Sequence, residues 1–239
     1  MKIFSVSDMH GKLDGLNPEG CDIVVIAGDF ALLEAHGKWG MKDQREWVIE
    51  EFIPWINKYP DCEFVIVPGN HDLCFDPSKV AKFPGENWRI NWPKNARVLI
   101  DSECEVKGLH IYGTPWVPII SYSWAFEAEH DTLKRKFAKI PENLDILITH
   151  TPPHIPDSAI DRSLQWGGDE AFGSSELADA ILNKRPRNVF CGHIHTGTHG
   201  GVEFGGAKIY NVSRVDERYD IAYEPEVVDI DPIVNSMLL

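Results

Sequence analysis

The chain has 239 residues, 43% hydrophobic and 10% aromatic, enough to bury a large core as one domain over 1–239. Its formal charge of −14 opposes the broad Lys/Arg surface that long nucleic acid requires and favours a small substrate, although metals can make a local cationic site within an acidic protein. The opening "MKIFSVSD" has no apolar h-region, and no apolar run reaches the ~18 residues of a membrane span; the expectation is a soluble, unexported, cytoplasmic protein with no membrane partner.

In chain order, apolar runs predict strands at Ile3–Ser7, Ile23–Ala27, Phe64–Val67, Val98–Ile100, Leu109–Tyr112, Ile146–Thr149, Val189–Cys191 and Lys208–Asn211. Between the second and third, Trp47, Val48, Phe52, Trp55 and Ile56 recur at helical spacing behind an Asp43 cap, and Pro54 is expected to kink or shorten the end. Trp124–Ile140 and Ser174–Asn183 are further predicted helices, and "GGVEFGGAKIYNV" reads as a hairpin. The alternation predicts an α/β fold of two mixed sheets packed together with helices outside. The five cysteines are dispersed, with no C-x-x-C pair; they suggest neither a disulfide framework nor a thiolate metal site.

Five of these strands end in ligand-type residues. The first runs into Asp8 and His10, the second into Gly28-Asp29, the third into Gly69-Asn70-His71-Asp72, the sixth into His150, and the seventh into Gly192-His193-Ile194-His195. Carboxyl strand ends are where open α/β sheets bind ligands, so separate deposits can converge. On extended backbone, i and i+2 side chains share a face, which predicts that Asp8 with His10, and His193 with His195, aim as pairs into one cavity. Gly28, Gly69 and Gly192 allow close backbone approach. Asp8, His10, Asp29, Asn70, His150, His193 and His195 form an N/O set suited to divalent first-row metals (Mn, Fe, Zn, Ni or Co). Seven ligands exceed one ion's share and predict two ions joined by a bridging carboxylate, as in phosphatases and nucleases.

In that order, D-x-H, G-D, G-N-H-D, H and G-H-x-H, the sequence resembles the calcineurin-like metallophosphoesterases. The resemblance implies a four-layer α-β-β-α sandwich. It also implies that Asp8, His10, Asp29 and His195 hold one metal, that Asp29 bridges, and that Asn70, His150 and His193 complete the other. His71 matches the family histidine near the leaving group, a candidate general acid in hydrolysis driven by a metal-bridging hydroxide. The protein Ser/Thr phosphatases extend the second motif as G-D-x-V-D-R-G, whereas this chain has "GDFALLE", with Leu32 and Leu33 at the second Asp and the Arg. A protein phosphatase is therefore not expected, and Asp72 and Glu34 are both open as the residue that orients His71. "GDF", "GNHDLCFD", "IYGTPW" and "THTPP" resemble the small metallophosphodiesterase-domain branch similar to the brain 239 proteins, linked to cyclic nucleotide hydrolysis.

The expected function is hydrolysis of small phosphodiesters. A nuclease or phosphomonoesterase on the same metal core is the enzymatic alternative, and a protein-binding scaffold of the same fold is the non-enzymatic one. Around the site, Arg162 is weighed between phosphate contact and solvated loop, His154 between pocket rim and turn packing, and Asp72 is a further substrate-side candidate. Trp116, Tyr122, Trp124 and Trp166 are weighed between base stacking and core. His36, His110, His130 and His199 are read as structural.

Overall fold

In the computed structural model, which describes residues 1–33, 36–163 and 170–232, the chain begins β1 (Lys2–Val6), β2 (Ile23–Ala27), α1 (Gly37–Trp47), a π-helical turn Val48–Phe52, α2 (Ile53–Ile56) and β3 (Glu63–Val67). A 3-10 turn Leu73–Phe75, α3 (Pro77–Val80), β4 (Ala96–Val98), β5 (Ser102–Val106), β6 (Leu109–Thr114), β7 (Val117–Pro118) and β8 (Glu127–Ala128) follow. The remainder is α4 (His130–Phe137), β9 (Ile146–Thr149), α5 (Ser175–Lys184), β10 (Asn188–Cys191), β11 (Gly200–Phe204), β12 (Ala207–Asn211) and β13 (Glu226–Asp229).

Two mixed sheets result, ordered β13-β1-β2-β3-β4 and β11-β12-β10-β9-β6-β5. The inner strands are parallel and the outer strands β13, β11 and β5 antiparallel. Strand β2 shows why the runs are apolar throughout rather than alternating. Its Ile23, Val25 and Ala27 pack with Val65 and Val67 against Ile111, Ile146, Ile148 and Phe190 of the second sheet. Its Val24 and Ile26 face the other way, onto Val48, Phe52, Trp55 and Ile56 of the helix. Both faces of a central strand are thus buried. At ~1.5–3 kcal/mol per fully buried aliphatic side chain, this double burial is the largest favourable contribution holding the sheets together. On the far side, Leu147, Val189 and Ile209 pack against Leu133 and Phe137 of α4 and Leu177 and Ile181 of α5. The layers are α-β-β-α.

The helices depart from expectation in two places. Helix α1 begins at Gly37, with Asp43 inside it, because two glycines in "GKWG" hide the first turn from a propensity reading. Pro54 does not end the helix: the preceding turn is π-helical, with Ile53 N–H bonding the Val48 carbonyl five residues back, and Pro54 falls in the first turn of α2, where a missing N–H is tolerated. The predicted Trp124–Ile140 helix is instead β8 followed by α4. The Glu127 carboxylate accepts backbone N–H bonds from Ile120, Ser121, Tyr122 and Trp124, and so holds that stretch as a turn. Helix α5 keeps its expected start, capped by Ser174 Oγ, which accepts from Leu177 N at 3.1 Å. Among the described residues no helix is long and apolar enough to cross a membrane.

The two sheets are also joined by a backbone bridge just past the end of β1: Ser7 N donates to the Val212 carbonyl at 2.8 Å, and Arg214 N donates to the Ser7 carbonyl at 3.0 Å. The carboxyl ends of β1, β2 and β3 from one sheet therefore stand beside those of β9 and β10 from the other.

Candidate metal centre

The ends of β1 and β2 are laced together by backbone bonds, Asp8 N to Gly28 O at 3.0 Å and His10 N to Asp29 O at 2.9 Å. These hold Asp8, His10 and Asp29 in left-handed conformations, with φ of 53°, 45° and 51°, and His193 is likewise at 70°. The side chains converge as expected, but through left-handed turns rather than the extended i, i+2 geometry that the spacing suggested. Each such residue costs ~1–2 kcal/mol, a strain that gathers at functional sites. The motif glycines leave the room: a Cβ on Gly28 would lie 2.1 Å from His150 Nδ1, one on Gly69 2.2 Å from Asp29 Oδ1, and one on Gly192 2.3 Å from Asp8 Oδ2.

Among the described residues, three overlapping triads have ligand atoms within 4.8 Å of one another: Asp8, His10 and His195; His10, Asp29 and His71; Asp8, Asp29 and His150. Asn70 joins the last, its Oδ1 lying 2.9 Å from His150 Nε2, with Asp29 Oδ2 at 3.2 Å. His71 thus offers a ring nitrogen to one triad. The His193 ring enters none of them and stands 5.0 Å from the His150 ring, while its backbone N–H donates to Asp8 at 3.0 Å.

The donors fit divalent metal. His10 is 6% exposed, and neither of its ring nitrogens has a hydrogen-bond partner, an arrangement that hydrogen bonding alone leaves unexplained. His150 Nδ1 bonds the Ala27 carbonyl at 2.9 Å, and His195 Nδ1 bonds the Asp216 carbonyl at 3.0 Å. Both contacts aim Nε2 at the carboxylates, the outer-shell pattern that orients ligating histidines. Asp8 is further held by Ser213 Oγ at 2.8 Å and by Ser7 Oγ.

The electrostatics ask for a cation. Burial pushes the Asp8 and Asp29 carboxyls up, but surrounding imidazoles, chiefly His195 for Asp8 and His150 for Asp29, hold both below the usual range. Burial alone would lower His150, yet Asp29 lifts it to about 9, and Asp8 likewise lifts His195. Protons on those rings stand where the carboxylates require positive charge. Burial presses His10 and His193 down to about 3, leaving neutral rings with lone pairs available.

His71 sits at the junction of the site and the surrounding cleft. Its backbone N–H donates to Asp29 Oδ1 at 2.7 Å, and Gln44 Nε2 bonds its carbonyl at 2.6 Å. Its ring lies 4.9 Å from the His10 ring and 4.1 Å from that of Trp124. Burial lowers its pKa, opposed by Asp29 and by the Leu33 backbone. Asp72 does not orient the ring: its carboxylate accepts from Gly69 N at 2.7 Å and Ala31 N at 2.9 Å, tying the β2 and β3 loops together, and burial beside Asp29 raises it to about 7. Glu34 and Trp166 lie outside the described residues.

Around this junction runs a cleft with two arms that share His71, Trp124 and Tyr219. The smaller arm, of about 570 Å³, is lined also by Leu33, His36, Gly40 and Asp43. The larger, of about 600 Å³, contains Asp29, Asn70, His193 and His195, with Pro118, Ile119, Ile120 and Phe172 forming an apolar wall and Glu217 at its edge. Arg162 and His154 are not among these lining residues: Arg162 Nε bonds the Ser158 carbonyl at 3.2 Å, and His154 Nδ1 pairs with Asp161 at 2.8 Å. Trp116 donates to Asp101 and carries Lys136 over its ring, a structural arrangement. His110, His130 and His199 contact Glu103, Glu176 and the Ser213 carbonyl, whereas His36 lines the smaller arm against Trp124. Sequence reasoning missed His36, Gln44, Glu217 and Tyr219, because none belongs to a strand-end motif.

Comparison with known proteins is consistent with this geometry. The family model described as Calcineurin-like phosphoesterase matches residues 1–197. The chain is 30% identical over 249 residues to metallophosphoesterase domain-containing protein 1 of Homo sapiens, covering 97% of this chain and 71% of the relative. It is 27% identical to a UPF0046 protein of Caenorhabditis elegans, covering 96% and 81%. Among solved structures, TT1561 of Thermus thermophilus superposes with a TM-score of 0.54 at 14% identity, covering 96% of this chain and 99% of that one. Phosphopantetheinyl hydrolase of Mycobacterium tuberculosis does so with 0.54 at 13%, covering 91% and 90%, and at these identities the likeness concerns fold alone. With the family match running from before Asp8 to beyond His195, through every strand end that feeds the buried cluster, the chain belongs to the calcineurin-like phosphoesterase family.

Proposed function

We propose that this chain is a metal-dependent phosphodiesterase for small substrates. Asp8, His10, Asp29 and His195 would hold one ion, and Asn70 and His150, with His193 at the cleft wall, the other, Asp29 being shared. Two divalent ions, when bound, would offset phosphoryl charge and acidify water at the site.

The observation that carries the diester reading is the cleft. It has two arms joined at His71, Trp124 and Tyr219, so each organic substituent of a diester has a place, where a monoester needs one. Among the described lining residues there is no Lys or Arg, and the charged groups outside the metal set are Asp43 and Glu217. A diester carries one negative charge and a monoester up to two near neutral pH, so this lining disfavours the monoester more. His71 lines both arms, and among the described residues the smaller arm contains none of the seven ligands, which supports a leaving alcohol on that side with His71 as the donor of its proton. The same lining gives no cationic track for a polyanion, so 2′,3′- or 3′,5′-cyclic nucleotides are expected to outrun single-stranded DNA.

The test compares kcat/KM for bis(p-nitrophenyl) phosphate and p-nitrophenyl phosphate on metal-loaded protein at one ionic strength. The diester is expected to lead by about tenfold or more, equivalent to ~1.4 kcal/mol of discrimination. A preference for the monoester would overturn the diester reading and leave the metal centre standing.

A further inference from the structure

A phosphoryl oxygen in this cleft lacks the cationic partner that the G-D-x-V-D-R-G motif would supply, since Leu33 stands at the Arg position. What the fold offers there is Tyr219. Its ring lies edge-on to His10 at 4.8 Å, to His195 at 5.3 Å and to His71 at 6.2 Å, the rings crossing at 84°, 79° and 69°. It lines both arms of the cleft, and among the described residues its hydroxyl makes no hydrogen bond.

The loop that presents it is over-determined. Tyr219 has φ of 63°, the left-handed region that a bulky residue enters at a cost. Its N–H bonds the Asp216 carbonyl at 2.9 Å, and the Asp216 carboxylate accepts from Arg218 N at 2.8 Å and Asp220 N at 3.0 Å. Lys12 Nζ bonds the Tyr219 carbonyl. The same Asp216 carbonyl orients His195, so the turn that aims a ligand histidine also aims the phenol. A turn serving only to cover His10 would be served by any large apolar side chain; among the described residues no protein group takes up this hydroxyl, and the ring that carries it lines both arms of the cleft.

We infer that the Tyr219 hydroxyl donates a hydrogen bond to a non-bridging phosphoryl oxygen of the bound diester, and so contributes to selection of a singly charged phosphoryl group. The inference rests on the phosphodiesterase reading of the cleft. A phenol supplies one neutral donor where Arg supplies a charged fork, so it rewards a second negative charge far less.

Tyr219→Phe separates the hydroxyl from the ring. On metal-loaded protein, its metal content and Tm are expected to match the wild type, while kcat/KM for bis(p-nitrophenyl) phosphate falls about 10- to 100-fold, the range for a hydrogen bond to a charged group. Calorimetric affinity for diphenyl phosphate, a slowly reacting diester, is expected to fall in parallel. Tyr219→Arg is expected to shift the kcat/KM ratio toward the monoester. Unchanged affinity and turnover in Tyr219→Phe, or a loss of metal with the hydroxyl, would overturn the inference. A wild-type protein that hydrolyses neither ester would sink the phosphodiesterase reading instead, and the diphenyl phosphate affinities would still decide the role of Tyr219.

Discussion

Replacing Asp29 by Ala is expected to remove bound metal and turnover together, with activity falling by more than the ~10–100-fold that loss of an outer-shell partner costs. The expectation follows from where the side chain sits. Asp29 is 1% exposed and belongs to two of the three ligand triads, more than a peripheral carboxylate would. Its Oδ2 lies 3.2 Å from His150 Nε2, and its Oδ1 accepts the His71 N–H at 2.7 Å. One substitution therefore takes away the carboxylate common to two of the ligand triads, the charge that lifts His150, and the acceptor of the His71 N–H. Asp29→Asn, which keeps the volume, separates these effects: it is expected to retain the fold by circular dichroism while metal content, read by inductively coupled plasma mass spectrometry, falls. Full metal content in both variants would show that the centre is assembled elsewhere.

His71→Ala is expected to behave oppositely, keeping its metals and losing kcat by ~10²-fold or more on a diester with a poor leaving group. The loss should shrink for p-nitrophenolate, which departs without a proton. Metal content is the deciding half of this measurement, because a His71 ring nitrogen lies within 4.8 Å of ligand atoms of His10 and Asp29. A variant that sheds metal would assign His71 to the coordination set. A variant with unchanged kcat on the poor leaving group would remove it from proton transfer altogether. Burial favours the neutral ring, opposed by Asp29, so a proton carried by this imidazole is the more readily given up.

Much of this architecture is legible in the sequence, because the same fact produces both the pattern and the site. Strands buried on two faces must be apolar along their length, so the polar residue that ends each run is conspicuous, and Asp8, Asp29, Asn70, His150 and His195 are all found that way. The glycines are legible for a related reason: Gly28, Gly69 and Gly192 each touch a ligand side chain where no Cβ fits. The left-handed turns at Asp8, His10, Asp29 and His193 are not legible. They are imposed by backbone bonds between β-strand ends that adjoin only in the folded chain. Tyr219 escapes sequence reasoning because its importance lies in what faces it across the cleft, and Gln44 because it acts through bonds to the Leu32, His71 and Cys74 backbone that exist only in the folded chain. Pro54 misleads because, after the π-helical turn, it falls in the first turn of α2, where a missing N–H is tolerated. Strand β5 escapes because it is an outer strand whose exposed face carries Glu103 and Glu105, and β13 because it is a short outer strand with only two apolar residues, Val227 and Val228, between charged ones.

The most direct test of the account is a metal titration of chelator-stripped protein, with hydrolysis of bis(p-nitrophenyl) phosphate followed as Mn, Zn, Fe, Ni or Co is added. Stripped protein is expected to be inactive, and activity to rise with added metal to a plateau at about two ions per chain, the stoichiometry of a shared-carboxylate centre. Full hydrolysis by metal-free protein, or none at saturating concentrations of every one of these metals, would contradict it.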